Sequence, residues 1–157
     1  MQESSHKICS LTEATVHRAS WKENNETVVF TNGCFDILHL GHVDYLEKAR
    51  EAGTKMIVGV NADSSVRQLK GPSRPVNNES DRKVLLESLD FVDEVILFDE
   101  DTPLELIQRV QPNIITKGGD YTVDTVVGNQ LAKVVILPTV DNYSTTKTIQ
   151  RINNDTT

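Results

Sequence analysis

With 157 residues, 38% hydrophobic and 25% charged, the chain fits one domain with a real core, and no apolar run reaches the roughly 18 to 20 residues of a membrane span. A formal charge of −7 argues against nucleic acid as the main partner, because neutralising many phosphates takes a basic face. The two cysteines, Cys9 and Cys34, are too few for a disulfide framework and lack metal-ligand spacing, so free thiols and no structural metal are expected.

The opening Met1–Lys7 is polar and mixed in charge and lacks the profile of a secretion leader, which predicts a cytoplasmic protein. Residues 1–26 read as an N-terminal extension packed on the domain, with a short helix from Leu11 to Trp21. From residue 27 to 157 the pattern changes. Apolar, β-branched runs at Thr27–Thr31, Met56–Val60, Glu94–Phe98, Asn113–Thr116 and Lys133–Leu137 predict five strands, and their lack of strict alternation suits strands covered on both faces.

Between them lie helical patterns. Val43, Leu46 and Ala49 mark one from His42 to Ala52, ended by Gly53. Val84, Leu85, Leu86 and Leu89 form the apolar stripe of another from Glu79 to Leu89, capped by Asn78 or Ser80. Thr102-Pro103-Leu104-Glu105 has the form of a capping box for a helix from Pro103 to Val110. A last helix runs from Lys147 to Ile152. The alternation predicts an α/β fold: a single Rossmann-like domain with a five-stranded, mostly parallel sheet and helices on both faces. Ligands of such sheets bind beyond the carboxyl ends of the strands where strand order reverses, so the loops to search begin at Asn32, Asn61, Asp99, Lys117 and Pro138.

The first of these loops is the richest. Thr31-Asn32-Gly33-Cys34-Phe35-Asp36-Ile37-Leu38-His39-Leu40-Gly41-His42 leads directly into a helix. Glycines let phosphate or backbone approach closely, and a helix start adds unpaired N–H groups and partial positive charge. His39 and His42 then face the same way. The familiar helical zinc pair is spaced by four with an adjacent glutamate, which this string lacks. Downstream, Arg67, Lys70, Arg74, Arg82 and Lys83 make one segment basic, either as a solvated loop or as a site for a small polyanion. Ser144-Thr145-Thr146 before the last helix is an ordinary cap or a second anion cradle, and Lys117-Gly118-Gly119-Asp120 a plain turn or a nucleoside contact.

Gly33, Phe35, Asp36, His39, Gly41 and His42 match without gaps the first signature of the cytidylyltransferase-like nucleotidyltransferases, Gly-x-Phe-Asp-x-x-His-x-Gly-His, and the chain resembles that family. Val60 to Val76, Lys117 to Tyr121 and Tyr143 to Lys147 are similar to later motifs of domains that adenylylate heptose 1-phosphate. Two departures stand out. The stretch from Gly128 to Lys133 is short and lacks a glycine pair, and Thr139 and Asp44 occupy places where glycerol-phosphate cytidylyltransferases carry arginine and lysine.

The resemblance implies transfer of AMP from ATP to a sugar 1-phosphate, with Mg²⁺ accompanying ATP, no protein metal site, and a separate sugar kinase upstream. It places His39, His42 and Lys70 at the reacting phosphates, and Thr31, Asn32, Gly33, Phe35, Gly41, Lys117, Gly118, Gly119, Asp120, Tyr121, Ser144, Thr145 and Thr146 around the nucleotide. Asp36, Asn61, Asp63, Arg67 and Arg74 fall to the sugar phosphate. It leaves a homodimer open. The alternatives are a cytidylyltransferase acting on glycerol 3-phosphate or another polyol phosphate, and a nucleotide-binding module without turnover.

Overall fold

Val28, Val29, Phe30 and Thr31 are all buried, which only a strand covered on both faces allows. The computed structural model describes residues 6–155, so most of the Met1–Lys7 start lies outside the described residues. The elements are α1 (Leu11–Glu23), β1 (Val28–Gly33), α2 (Leu40–Glu51), β2 (Lys55–Asn61), α3 (Asp63–Lys70), α4 (Glu79–Glu87), β3 (Glu94–Phe98), α5 (Leu104–Val110), β4 (Ile114–Gly118), a 3-10 turn at Val123–Thr125, β5 (Lys133–Leu137) and α6 (Thr145–Asn154).

The five strands form one sheet in the order β3-β2-β1-β4-β5, and every neighbouring pair is parallel. Successive side chains leave opposite faces of a strand. Val28 and Phe30 therefore join Ala14, Ile57, Ile96, Leu106, Ile107 and Ile115 in one core layer. Val29 joins Leu46, Ala49, Met56, Val58 and Leu86 in the other. The chain leaves β1 towards β2 on one side and later returns to β4 on the other, so strand order reverses between β1 and β4.

Three local expectations fail for identifiable reasons. Asp63–Lys70, expected as loop, is helical with Val66 as its fully buried apolar side chain, too little apolar signal to show a period. In α4 the anticipated stripe is misplaced: Val84 and Leu85 are exposed, whereas Leu86 and Arg82 face inward. A buried arginine at the start of the inward face hides the true spacing. The capping box at Thr102 does not form, because Pro103 itself takes the cap position of α5 and no side chain caps it.

Residues before β1 are built into the sheet's edge. Val95 N–H donates to the Lys7 carbonyl (2.9 Å) and Cys9 N–H to the Val95 carbonyl (3.1 Å), so this segment runs parallel beside β3. A full capping box between Ser10 and Glu13 starts α1. Among the described residues no helix is long and apolar enough to cross a membrane.

Candidate active site

A cleft of about 680 Å³ opens at the carboxyl ends of β1 and β4, lined among others by Asn32, Gly33, His39, His42, Lys70, Lys117 and Tyr143. It is placed at the reversal of strand order, where side-chain-bearing loops from both halves of the sheet diverge.

His39 is the N-cap of α2, with extended backbone. The rings of His39 and His42 stack with centroids 3.8 Å apart and planes 18° from parallel. His42 N–H donates to His39 Nδ1, and His39 N–H donates to His42 Nδ1, each at 3.4 Å. With both Nδ1 atoms accepting, the proton of each neutral ring is assigned to Nε2, and the Ile37 carbonyl also lies within hydrogen-bonding reach of the His42 ring. Both rings are held neutral. Burial pushes the His42 imidazole down to about 4, helped by the neighbouring His39 and Lys70, and burial lowers His39 as well. The result is a pair of neutral N–H donors beside the first-turn amides of α2, a suitable receptor for phosphoryl oxygens.

The glycines and Phe35 of the motif set this geometry. Phe35 sits at φ 47°, a left-handed conformation that is strained for a bulky side chain, and its ring meets His42 edge-on at 5.3 Å. Gly33 leaves room for that ring, since a Cβ there would lie 3.1 Å from it. A Cβ on Gly41 would lie 2.9 Å from the Tyr143 Cβ and 3.0 Å from the His39 ring. Gly41→Ala is therefore expected to push His39 off its partner and, at displacements near 1 Å, to cut turnover about 100-fold; an unchanged kcat would mean that the ring position is irrelevant.

The depressed imidazole has a consequence for stability. Unfolded, His42 titrates near the ordinary 6.5, but folded it resists protonation to about 4. Acidification through that window stabilises the unfolded chain relative to the folded one. Melting temperature should fall between pH 6.5 and 4 more steeply for the native chain than for His42→Asn, and parallel pH profiles would count against the assignment.

Lys117, at the end of β4, donates to Asn32 Oδ1 (2.7 Å) and lies 5.4 Å from the centre of the Tyr121 ring. Burial lowers its ammonium to about 8, so it is readily drawn into contact with an anion. Ser144 caps α6 by accepting from Lys147 N–H at 3.1 Å, which leaves its hydroxyl proton to donate into the cleft. Thr145 and Thr146 line the same wall, as do Asp36, Gly41, Asn61, Gly118 and Tyr121.

Other expected residues lie elsewhere or are already engaged. Thr31 is fully buried beneath the cleft, its hydroxyl shared with Tyr45 (2.9 Å) and the Thr116 carbonyl (3.3 Å). Gly119 and Asp120 do not line the cleft; Gly119 instead turns the chain at φ 65°. Arg67 and Asp63 line a separate groove with Glu79, Phe98 and Asp99. Asn61 donates to Ser65 Oγ (2.8 Å). Arg74 pairs with Asp36, and its Nη2 is buried without a partner among the described residues. Burial would raise the Asp36 carboxyl, but Arg74 and the Asn77 and Val76 amides outweigh it and hold the group below the usual range. Asp36 thus fastens the segment before α4 to the motif, and of the basic segment Lys70 reaches the cleft.

Sequence reasoning missed two organising side chains. Tyr45 bridges Thr31 and Thr116 with its hydroxyl (2.9 and 3.1 Å), a tie between β1 and β4 whose signal was a polar-tipped aromatic on the inner face of α2. Arg82, counted from the sequence in a basic segment read either as a solvated loop or as a polyanion site, is fully buried. It donates to the carbonyls of Asn77, Cys34 and Asn61 (3.0, 2.6 and 2.7 Å) and to Asp63 Oδ1 (2.8 Å). One guanidinium thereby joins the ends of β1 and β2 to the starts of α3 and α4.

An all-parallel α/β sheet with paired imidazoles over a helix start at its switch point defines the class of Rossmann-like α/β domains whose site lies at the carboxyl ends of the strands. Residues 30–151 match the Cytidylyltransferase-like family, and the chain belongs to that family. It is 52% identical over 136 residues to the Bifunctional protein HldE of Syntrophotalea carbinolica, covering 83% of this chain and 28% of that protein. The Magnetococcus marinus protein of the same name is 48% identical over 155 residues, 96% of this chain and 32% of its own length. The chain thus spans less than a third of the curated relatives it matches. The crystal structure of the lipopolysaccharide core biosynthesis protein from Thermoplasma volcanium superposes with a TM-score of 0.62 at 31% identity, over 76% of this chain and 99% of that one.

Proposed function

We propose that the chain is a nucleotidyltransferase that moves AMP from ATP to a sugar 1-phosphate, D-glycero-D-manno-heptose 1-phosphate being the preferred acceptor, and releases pyrophosphate. The observation that carries this reading is the stacked His39 and His42 pair, each ring biased to its neutral form and each Nδ1 engaged by backbone, which sets two adjacent imidazoles at a helix start to meet one polyphosphate. The likeness to the HldE proteins and to a lipopolysaccharide core biosynthesis protein supports the choice of acceptor.

An oxygen of the acceptor's phosphate attacks the α-phosphorus of ATP; the new P–O bond forms as the bond to the β-phosphate oxygen breaks, and pyrophosphate departs. The nucleophile is already an anion, so catalysis is alignment and charge neutralisation. His39 and His42 hold the α- and β-phosphates through Nε2–H, Lys70 meets the triphosphate or the acceptor phosphate, and Ser144 to Thr146 receive the departing pyrophosphate. Lys117, Gly118 and Tyr121 border the nucleoside. Of the carboxylates lining the cleft, Asp36 is engaged by Arg74 and backbone amides while Asp101 is open, so Asp101 is the protein group that would hold a Mg²⁺ ion carried in with ATP, and the ion would supply neutralisation of phosphate charge.

A matrix of ATP, CTP, GTP and UTP against heptose 1-phosphate, other sugar 1-phosphates and glycerol 3-phosphate, read by coupled pyrophosphate release, tests the proposal. Highest kcat/KM is expected with ATP and heptose 1-phosphate. Preference for CTP and glycerol 3-phosphate would instead select the polyol-phosphate alternative, and nucleotide binding without multiple turnovers would make the chain a binding module.

A further inference from the structure

Away from the cleft, at the amino end of β3, three side chains from distant parts of the sequence converge. Cys9 comes from the segment beside β3, His17 from the second turn of α1, and Glu94 is the first residue of β3. Their ligand atoms all lie within 4.8 Å of one another. His17 Nδ1 contacts Glu94 Oε1, Glu94 Oε2 is buried without a well-formed hydrogen bond, and the Cys9 thiol neighbours the Glu94 carboxyl group. Glu94 itself is 3% exposed, an unusual position for a carboxylate in an edge strand of a sheet.

We propose that Cys9, His17 and Glu94 bind a zinc ion at the amino-terminal edge of the sheet. Thiolate, imidazole and carboxylate are together the donor set that zinc favours, with bonds of about 2.0–2.3 Å. Tetrahedral bonds of that length place donors roughly 3–4 Å apart, so the three atoms meet an ion with small side-chain movements. The half-exposed His17 leaves a fourth position open to water. A divalent ion would take the place of the thiol proton: Cys9 gives its proton to solvent, and the thiolate, the imidazole and the carboxylate share the metal. The ion would staple the first described segment, α1 and β3 together, which assigns it to stability and leaves the chemistry to the cleft. Intervals of 8 and 77 residues between the ligands conceal the site from any search by spacing.

The test uses the full chain without an affinity tag, stripped with chelator and returned to Zn²⁺, with bound metal counted by mass spectrometry after gel filtration. Expected are one zinc per chain, a melting temperature that rises with zinc as binding to the native state requires, and, with Co²⁺ as probe, a thiolate-to-metal charge-transfer band. Cys9→Ser should lose the band. His17→Ala, a change at a half-exposed position, should weaken zinc binding about tenfold or more, whereas Cys34→Ser should keep both. Melting of the metal-free variants shows that they are folded. Retention of no zinc by the native chain overturns the proposal, and so does zinc binding indifferent to the Cys9 and His17 substitutions, which would place the ion on other histidines.

Discussion

His42→Ala is expected to slow pyrophosphate release roughly 100- to 1000-fold at saturating substrates, the cost of deleting one preorganised donor from a charged transition state. The protein should remain folded, since the loss of a reciprocal cap costs on the order of 1 kcal/mol. His39→Ala should behave alike. Because each ring caps the other's backbone and fixes its tautomer, the double variant should be little slower than either single one, as expected of groups that work as a unit. Initial rates in the coupled assay for all three variants decide the matter, and a native-like kcat for His42→Ala would remove the basis of the proposed mechanism.

The largest structural effect is expected from Arg82→Ala. Its guanidinium is fully buried and makes four hydrogen bonds to Asn77, Cys34, Asn61 and Asp63, so truncation strands three carbonyls and a carboxylate at once. Breaking a buried charge in this way costs about 3–5 kcal/mol, a large share of the 5–15 kcal/mol typical of whole domains. Urea unfolding should show it directly. Arg82→Lys, which keeps the charge but not the planar fork of donors, should recover only part of the loss and serves as the measurable variant if alanine prevents folding. A cost below about 1 kcal/mol for both would mean that water satisfies those carbonyls equally well.

The sheet could be read from the sequence because its strands are continuous apolar runs: Glu94–Phe98 and Lys133–Leu137 fall where the runs place them. The motif could be read because its glycines, Phe35 and histidines are contiguous and depend on one turn. What escaped depends on partners far along the chain. Arg82 looks like any solvated cation until three loop ends close around it, and Arg74 looks like a phosphate ligand until Asp36 is found against it. Likewise Val84 and Leu85 satisfy an amphipathic pattern that the inward turn of α4 does not follow. The Cys9, His17 and Glu94 cluster is the extreme case, its members scattered over β3, α1 and the strand-like segment before it.

The reciprocal capping of His39 and His42 also sets what this cleft leaves alone. A ring whose Nδ1 is engaged and whose Nε2 already bears hydrogen has no lone pair with which to activate water or an alcohol. ATP waiting there without an acceptor should therefore survive, its hydrolysis unassisted, and neutral sugars should be spectators. Under the proposed function, fidelity to ionised acceptors would then follow from proton placement rather than from any gate that must shut.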